Sequence, residues 1–255
     1  MRARSLMMSA AALMVACTLT GCSVLNQIVG QDNWKEWTPD QTSLQISQSG
    51  SVTETIIDTL DENYYNADEL QDMIARSVRE YNTEQGSQVI SVPAYSADQG
   101  KINLVLVYKT PQDYASYNQV TFLNGSMLDV QMSGITFPDT FQKIDGTSVS
   151  ENSVSSEEAL SHKEYSAAVT AADHVIQVPG QIRYLSENAE LVNSHVARPA
   201  GENAQSSQPE TEAGLVLPSN AVYYGTEDTS QSAEPSQDQE ELMYIIYEED
   251  QESST

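Results

Sequence analysis

One stretch of this chain carries apolar residues at helical spacing, and the other apolar runs between residues 42 and 198 are short. The apolar residues of that stretch recur every three or four positions, the period of an α-helix. They are Leu70, Ile74, Val78 and Tyr81. Asn66 before them is a good N-cap, and Gly86 after them is in the place of a C-cap glycine. The pattern predicts a helix over residues 67–85.

The short apolar runs are bounded by turn residues, which is typical of β-strands. Asp98-Gln99-Gly100 and Asp145-Gly146 predict turns, and Asn124-Gly125 predicts a hairpin between residues 120–123 and 127–131. Thr110-Pro111 opens a second, short helix at about residues 111–118. The sequence therefore predicts an α+β fold, in which one main helix and one short helix accompany a mostly antiparallel sheet.

The N-terminus has the features of an export signal. Arg2 and Arg4 are followed by a mostly apolar stretch that is too short for a membrane span, and then by Leu19-Thr20-Gly21-Cys22. This ending resembles the bacterial lipobox, in which the cysteine receives a diacylglyceryl group before cleavage. We expect residues 1–21 to be a signal peptide and Cys22 to be the lipidated first residue. The chain would then be held on a membrane by its acyl chains.

Cysteine content limits how the mature chain is stabilised. The two cysteines are Cys17, which leaves with the signal peptide, and Cys22, whose thiol is acylated. The sequence therefore predicts no disulfide and no cysteine metal site, and a packed core must stabilise the domain over residues 42–198. Residues 22–41 form a tether in which Trp34 and Trp37 either lie at the membrane interface or cover an edge of the domain.

The distribution of charged residues distinguishes the C-terminal part of the chain from the domain. The whole chain has a net charge of −26, and removal of Arg2 and Arg4 with the signal peptide would make it −28. Such a polyanion is a poor partner for nucleic acid. No Lys or Arg follows Arg198. Residues 199–241 are rich in Ser, Gln, Glu and Pro, which predicts a disordered acidic segment.

Residues 242–247 are an apolar run within this acidic tail, and residues 248–255 continue the tail. As a strand, the run is apolar on both faces, which suits a strand that is covered on both sides. It either returns to complete the sheet of the domain or adds a strand to a partner. Loop closure permits the first arrangement, because its entropic cost grows only with the logarithm of loop length.

Residues that could carry chemistry do not form a known motif. His162, His174 and His195 are the histidines, and they show no zinc-binding spacing. An acidic run from Asp58 to Asp72 lacks the alternation and the glycine of a calcium loop, so it is expected to be a capped helix start with a solvated face. Tyrosines are numerous and either form a ligand-binding face or line a half-buried sheet. The sequence predicts no catalytic residue, no cofactor and no metal.

Several short segments accompany the lipobox in this chain. They are Ser51-Val52-Thr53, Tyr64-Tyr65 with the helix to Tyr81-Asn82, Tyr108-Lys109, the segment Asp113-Tyr114-Ala115-Ser116-Tyr117-Asn118, and Ile182-Arg183-Tyr184-Leu185-Ser186. With these segments, the chain resembles a group of surface lipoproteins from Clostridia-type Gram-positive bacteria. The resemblance covers most of residues 42–196. It implies a small α+β domain anchored in the outer leaflet of the cell membrane, facing the wall, and supplies no activity.

Two functions follow as expectations. The first is a lipid-anchored, non-enzymatic binding or scaffolding module at the cell envelope, with the membrane and a cell-wall or surface protein as partners. The alternative is a cell-envelope hydrolase that uses carboxylates which the sequence does not identify.

Overall fold

Thirteen strands and four helices form the part of the chain that the computed structural model describes, namely residues 37–60, 66–171, 173–201 and 241–250. The helices are α1 Ala67–Glu84, α2 Pro111–Asn118, α3 Met127–Met132 and α4 Ser156–Ser161. The strands are β1 Ser43–Ile46, β2 Val52–Thr59, β3 Ile90–Asp98, β4 Lys101–Tyr108, β5 Phe122–Ser126, β6 Thr140–Asp145, β7 Ser148–Ser155, β8 Ser166–Thr170, β9 Val175–Gln177, β10 Gly180–Leu185, β11 Ala189–Asn193, β12 Val196–Pro199 and β13 Met243–Glu249. The fold is α+β.

Helix α1 lies where the apolar spacing predicts it. The Asn66 side chain accepts hydrogen bonds from the backbone N–H groups of Asp68 and Glu69, which satisfies two of the free donors of the first turn. The four residues of the predicted apolar face are buried. Gly86, just beyond the helix, has a φ of 66°, a left-handed value that favours glycine.

The strands form two sheets, in which every pair but one is antiparallel among the described residues. The seven-stranded sheet has the order β11-β12-β9-β1-β2-β4-β3, and β1 pairs in parallel with β9. Its β3–β4 hairpin turns at Gln99 and Gly100, which both have positive φ, as the sequence predicts. Strand β1 therefore lies at the centre of the sheet, and β3 lies at one edge.

The six-stranded sheet has the order β5-β8-β13-β10-β6-β7. Strand β13 pairs with β8 on one side and with β10 on the other, so the run at residues 242–247 joins the sheet of its own chain. Gly180 of β10 lies so close to β13 that a Cβ would come within 2.2 Å of the Glu248 carbonyl oxygen. Glycine is therefore required there because the two backbones meet.

Two apolar clusters fill the spaces on either side of the six-stranded sheet. The larger cluster joins one face of each sheet to α1 and α2, through residues such as Leu44, Ile74, Tyr117 and Ile245. The smaller cluster packs α3 and α4 on the other face of the six-stranded sheet. Strand β13 is therefore buried on both faces, because Ile245 packs in the larger cluster while Tyr244 and Ile246 pack in the smaller one.

The hairpin predicted at Asn124-Gly125 is wrong. Both residues lie inside β5, and the chain passes directly into helix α3. Ser126 caps that helix by accepting a hydrogen bond from the backbone N–H of Asp129. Met127 and Val130 are buried at helical spacing, a pattern too short to be told from a strand in sequence. The described chain accordingly has four helices where two were predicted, and two sheets where one was.

Several predicted segments fall outside the described residues. They are the signal peptide at residues 1–21, the tether as far as residue 36 with Cys22, most of the acidic segment (residues 202–240), and the last five residues. At the predicted boundaries, β12 extends to Pro199 and β13 extends through Glu248 and Glu249, two residues assigned to the tail from sequence.

Candidate functional site

An open groove lies between the C-terminal half of α1 and the edge strand β3. Its volume is about 630 Å³. Helix residues Val78, Arg79, Asn82 and Thr83, the connection at residues 86–88, and strand residues Ile90, Ser91 and Val92 line it. Val78 and Ile90 are buried, and Val92 is half-buried against the larger cluster. The groove, called here the α1–β3 groove, therefore has an apolar floor and a polar rim.

Asn82 fixes the geometry of the α1–β3 groove. Its side-chain amide donates to the Ile90 carbonyl at 2.8 Å and accepts from the backbone N–H groups of Val89 at 2.8 Å and Ile90 at 2.9 Å. The amide thus takes the place that a residue of a neighbouring strand would occupy at the sheet edge. Since it holds the helix end to the strand, the spacing between the two walls is set by one side chain.

The edge of β3 is further protected beside the groove. The β3–β4 register shifts between Ser91 and Ala94, so Val92 and Pro93 have no paired residue on β4. Proline also lacks a backbone N–H to donate to an added strand. Together with the Asn82 amide, this disfavours binding by strand addition. A ligand would instead contact the groove through the side chains of its floor and rim.

Charge at the groove has the opposite sign to the chain as a whole. Arg79 is exposed and is the charged residue among those that line the groove. Its Nη2 lies 3.5 Å from the Ala75 carbonyl oxygen. Because the chain has a net charge of −26, a cation beside an apolar floor is a local exception. The site is suited to a ligand that combines an apolar part with an anionic group.

A buried carboxyl group lies elsewhere in the larger cluster. Glu54 is only 5 % exposed, and Tyr108 donates a hydrogen bond to its Oε2 at 2.6 Å. Asn118 in turn donates to the Tyr108 hydroxyl at 3.2 Å. Burial raises the pKa of Glu54 to about 7, although the tyrosine hydrogen bond lowers it. Burial also holds the pKa of Tyr108 well above its ordinary value.

Among the described tyrosines between residues 64 and 117, Tyr95 is half-buried on β3, as the sheet-lining alternative expects, whereas the other four lie in the core. Tyr81, Tyr108, Tyr114 and Tyr117 are buried in the larger cluster. Their rings pack mostly edge to face, with centroids 5.1 Å apart for Tyr108 and Tyr114. Such contacts stabilise the core beyond the area buried. Tyr64 and Tyr65 lie outside the described residues.

Each histidine has its own partner rather than a shared site. His162 Nδ1 lies 3.0 Å from Glu164, and His174 Nδ1 lies 2.8 Å from the Asp173 carbonyl oxygen. His195 is between Ser194, whose Oγ is 2.8 Å from Nδ1, and Asp250, whose Oδ1 is 3.6 Å from Nε2. The last arrangement joins the three residue types of a hydrolytic triad.

The acidic run is split by the fold. Asp58 is in β2, whereas Asp68, Glu69 and Asp72 are in the first turns of α1, and residues 61–65 lie outside the described chain. Within the described ranges, no group of three or more His, Cys, Asp or Glu side chains is placed to hold a metal ion. In the same ranges, no helix has both the length and the apolar character needed to cross a membrane.

Comparisons with family models, curated proteins and solved structures found no match to this chain.

Proposed function

We propose that this protein is a lipid-anchored, extracytoplasmic binding module that captures a cell-envelope partner without catalysing a reaction on it. The N-terminal charge, apolar stretch and lipobox support an anchor at Cys22 on the outer face of the cell membrane. The partner is a cell-wall component or a surface protein. The composition of residues 199–241 supports the further proposal that the chain after β12 forms a disordered acidic linker. The domain before this linker is proposed to have one main helix.

The observation that carries the binding proposal is the α1–β3 groove. It combines an apolar floor at Val78, Ile90 and Val92 with the exposed guanidinium of Arg79. Ligand sites in proteins commonly pair apolar surface with a few fixed polar groups. The hydrogen bonds of Asn82 hold the two walls in place before a ligand arrives, which reduces the entropic cost of binding.

A cell-envelope hydrolase is the alternative, and two features bear on it. Glu54 has a carboxyl pKa of about 7, as a general acid requires, yet a substrate could reach this 5 % exposed residue only by displacing the core. Ser194, His195 and Asp250 are adjacent, but Ser194 and His195 are neighbours in sequence and the His195–Asp250 separation is 3.6 Å. Labelling of Ser194 by a serine-directed fluorophosphonate would favour the hydrolase.

Replacement of Cys22 tests the anchor. In Cys22→Ala we expect the precursor to accumulate or the protein to be released to the medium, because no thiol remains to receive the diacylglyceryl group. Fractionation and labelling with a palmitate analogue measure this. Cys17→Ala is the matched control and should label normally, since Cys17 lies within the signal peptide. A Cys22→Ala protein that stays in the membrane fraction and labels normally would contradict the anchor.

Site-specific photo-crosslinking in intact cells tests the groove. A photoreactive residue at Gln88, on the groove rim, should give a discrete adduct with a partner. Arg79→Gln should reduce that adduct about tenfold, because a charge-assisted hydrogen bond is lost. Arg76→Gln removes an exposed arginine from the same helix but from outside the groove, and it should leave the adduct unchanged.

A second photoreactive residue at Gln71 tests whether the adduct depends on position. Gln71 is exposed on α1 and lies away from the groove, so it should not give the adduct formed from Gln88. If Gln71 and Gln88 give the same adducts, or if the two arginine variants behave alike, the α1–β3 groove is not the binding site.

A further inference from the structure

The seven-stranded sheet has a second face, turned away from the larger cluster. Residues opposite one another in paired strands point to the same side, and neighbours along a strand alternate. Gln45 pairs with Thr53 and Gln177, Thr53 pairs with Val107, and Gln177 pairs with Val196. These residues, with Ser43, Thr55, Ile57, Val105 and Val175, form what is called here the outer face.

The outer face is apolar along much of its width, and it is covered. Val105 is 1 % exposed, Val175 5 % and Val196 0 %, yet none of them belongs to either apolar cluster. Apart from Pro111, the buried apolar residues of the four described helices do belong to those clusters. The cover of the outer face therefore comes from chain outside the described helices.

Two buried polar atoms on the outer face also point to an occupant. Within the described part of the chain, Thr53 Oγ1 and Gln177 Oε1 are buried without a hydrogen-bond partner. Leaving such an atom unpaired costs about 1–3 kcal/mol. A segment that brought backbone or side-chain donors to this face would remove that cost while it covered the valines.

We propose that residues 23–36 of the tether pack on the outer face. The chain enters the fold at β1, the central strand of this same sheet, after only six described residues, 37–42. Six residues span at most about 20 Å, so the tether begins close to the middle of the face. Val24, Leu25, Ile28 and Val29 lie on one side of a helix drawn through the tether, which provides the apolar surface that the valines require.

Packing of residues 23–36 on the outer face would also set the orientation of the protein. Cys22 is the first residue of the tether, so the acyl chains would emerge beside the outer face, which would lie toward the membrane. Helix α1 packs on the opposite side of the sheet, within the larger cluster. The α1–β3 groove would therefore face away from the membrane, where it can meet a partner in the envelope.

Cysteine crosslinking in the full-length protein tests this placement. Ile28→Cys is combined with Val107→Cys, a half-buried position of the outer face, and separately with Thr55→Cys in case one pair perturbs folding. The control pair joins Ile28→Cys to Leu128→Cys, which is exposed on α3 beyond the six-stranded sheet. Under mild oxidation we expect about tenfold more intramolecular product from the outer-face pairs than from the control. Mass spectrometry of the joined peptides makes the result independent of lipidation at Cys22.

Other occupants give other products. The pair Val222→Cys and Val107→Cys asks whether the segment before β13 covers the face instead. A product from that pair without one from Ile28, crosslinks between two copies of the chain, or no outer-face product at all would each overturn the proposal.

Discussion

Glu54→Gln is expected to stabilise the protein at pH 8 by roughly 3 kcal/mol and to leave its stability at pH 4 nearly unchanged. The pKa of Glu54 is about 7 in the folded protein and 4.5 in an ordinary environment. The folded state therefore binds the proton more tightly than the unfolded state. The stability that this provides is fully present below pH 4.5 and is lost as the pH rises toward 7. Glutamine keeps an acceptor for Tyr108 and cannot ionise.

The measurement is the free energy of unfolding by denaturant from pH 4 to pH 8. Glu80→Gln, an exposed change on α1, is the control and should alter stability by less than about 0.5 kcal/mol at every pH. The wild-type free energies are subtracted from those of Glu54→Gln at each pH, which isolates the contribution of Glu54. The subtraction is needed because the net charge of −26 also destabilises the folded chain as other carboxyl groups ionise. Parallel curves for the wild type and Glu54→Gln would show that Glu54 is not a buried, proton-binding group.

The sequence indicates that Glu54 lies on the apolar face of its strand. It alternates with Val52 and Ile56 in a short apolar run, so as a strand residue it would share their face, and the structure pairs it with Leu44 and Leu106 on the neighbouring strands. The sequence does not indicate which residue donates a hydrogen bond to the Glu54 carboxyl group. Tyr108 is 54 residues away and reaches Glu54 only because β4 pairs with β2.

Local signals predicted local structure. The apolar period, with Asn66 as N-cap, located α1, and Pro111 located α2, because the information for a helix is held within a few turns. The same kind of signal failed at Asn124-Gly125, where β5 runs through both residues and pairs with β8. Pairing of Asn124 with Ala168 and of Gly125 with Ala167, both far along the chain, overrode the turn preference of the dipeptide.

The α1–β3 groove depends on contacts that are local in sequence and on contacts that are distant in sequence. Asn82 and Ile90 are eight residues apart, so their contact is a consequence of how α1 ends. The groove exists, however, only because β3 is an edge strand, and that depends on the order of all seven strands. The parallel pairing of β1 with β9, which sets the centre of that order, joins residues about 130 positions apart and has no local signature.

Truncation after Glu241 is expected to abolish cooperative folding. It removes β13, whose residues Met243, Tyr244, Ile245, Ile246 and Tyr247 are all buried. At about 1.5–3 kcal/mol for each buried large side chain, the loss is comparable to the whole stability of a typical domain. It also leaves β8 and β10 as unpaired edges in the middle of the sheet, where they can aggregate.

The matched control is truncation after Asp250, which keeps all of β13 and the ion pair between Arg183 and Glu248, whose Nη2 and Oε2 lie 2.5 Å apart. We expect this shorter deletion to melt like the full chain, whereas the longer one gives an insoluble product or no unfolding transition in circular dichroism. A synthetic peptide of residues 241–250, added during refolding, should restore the transition, because β13 can pair with β8 and β10 without its covalent link. A cooperative, unchanged melt after truncation at Glu241 would mean that β13 contributes little to the fold, and the two-sided pairing would then be wrong.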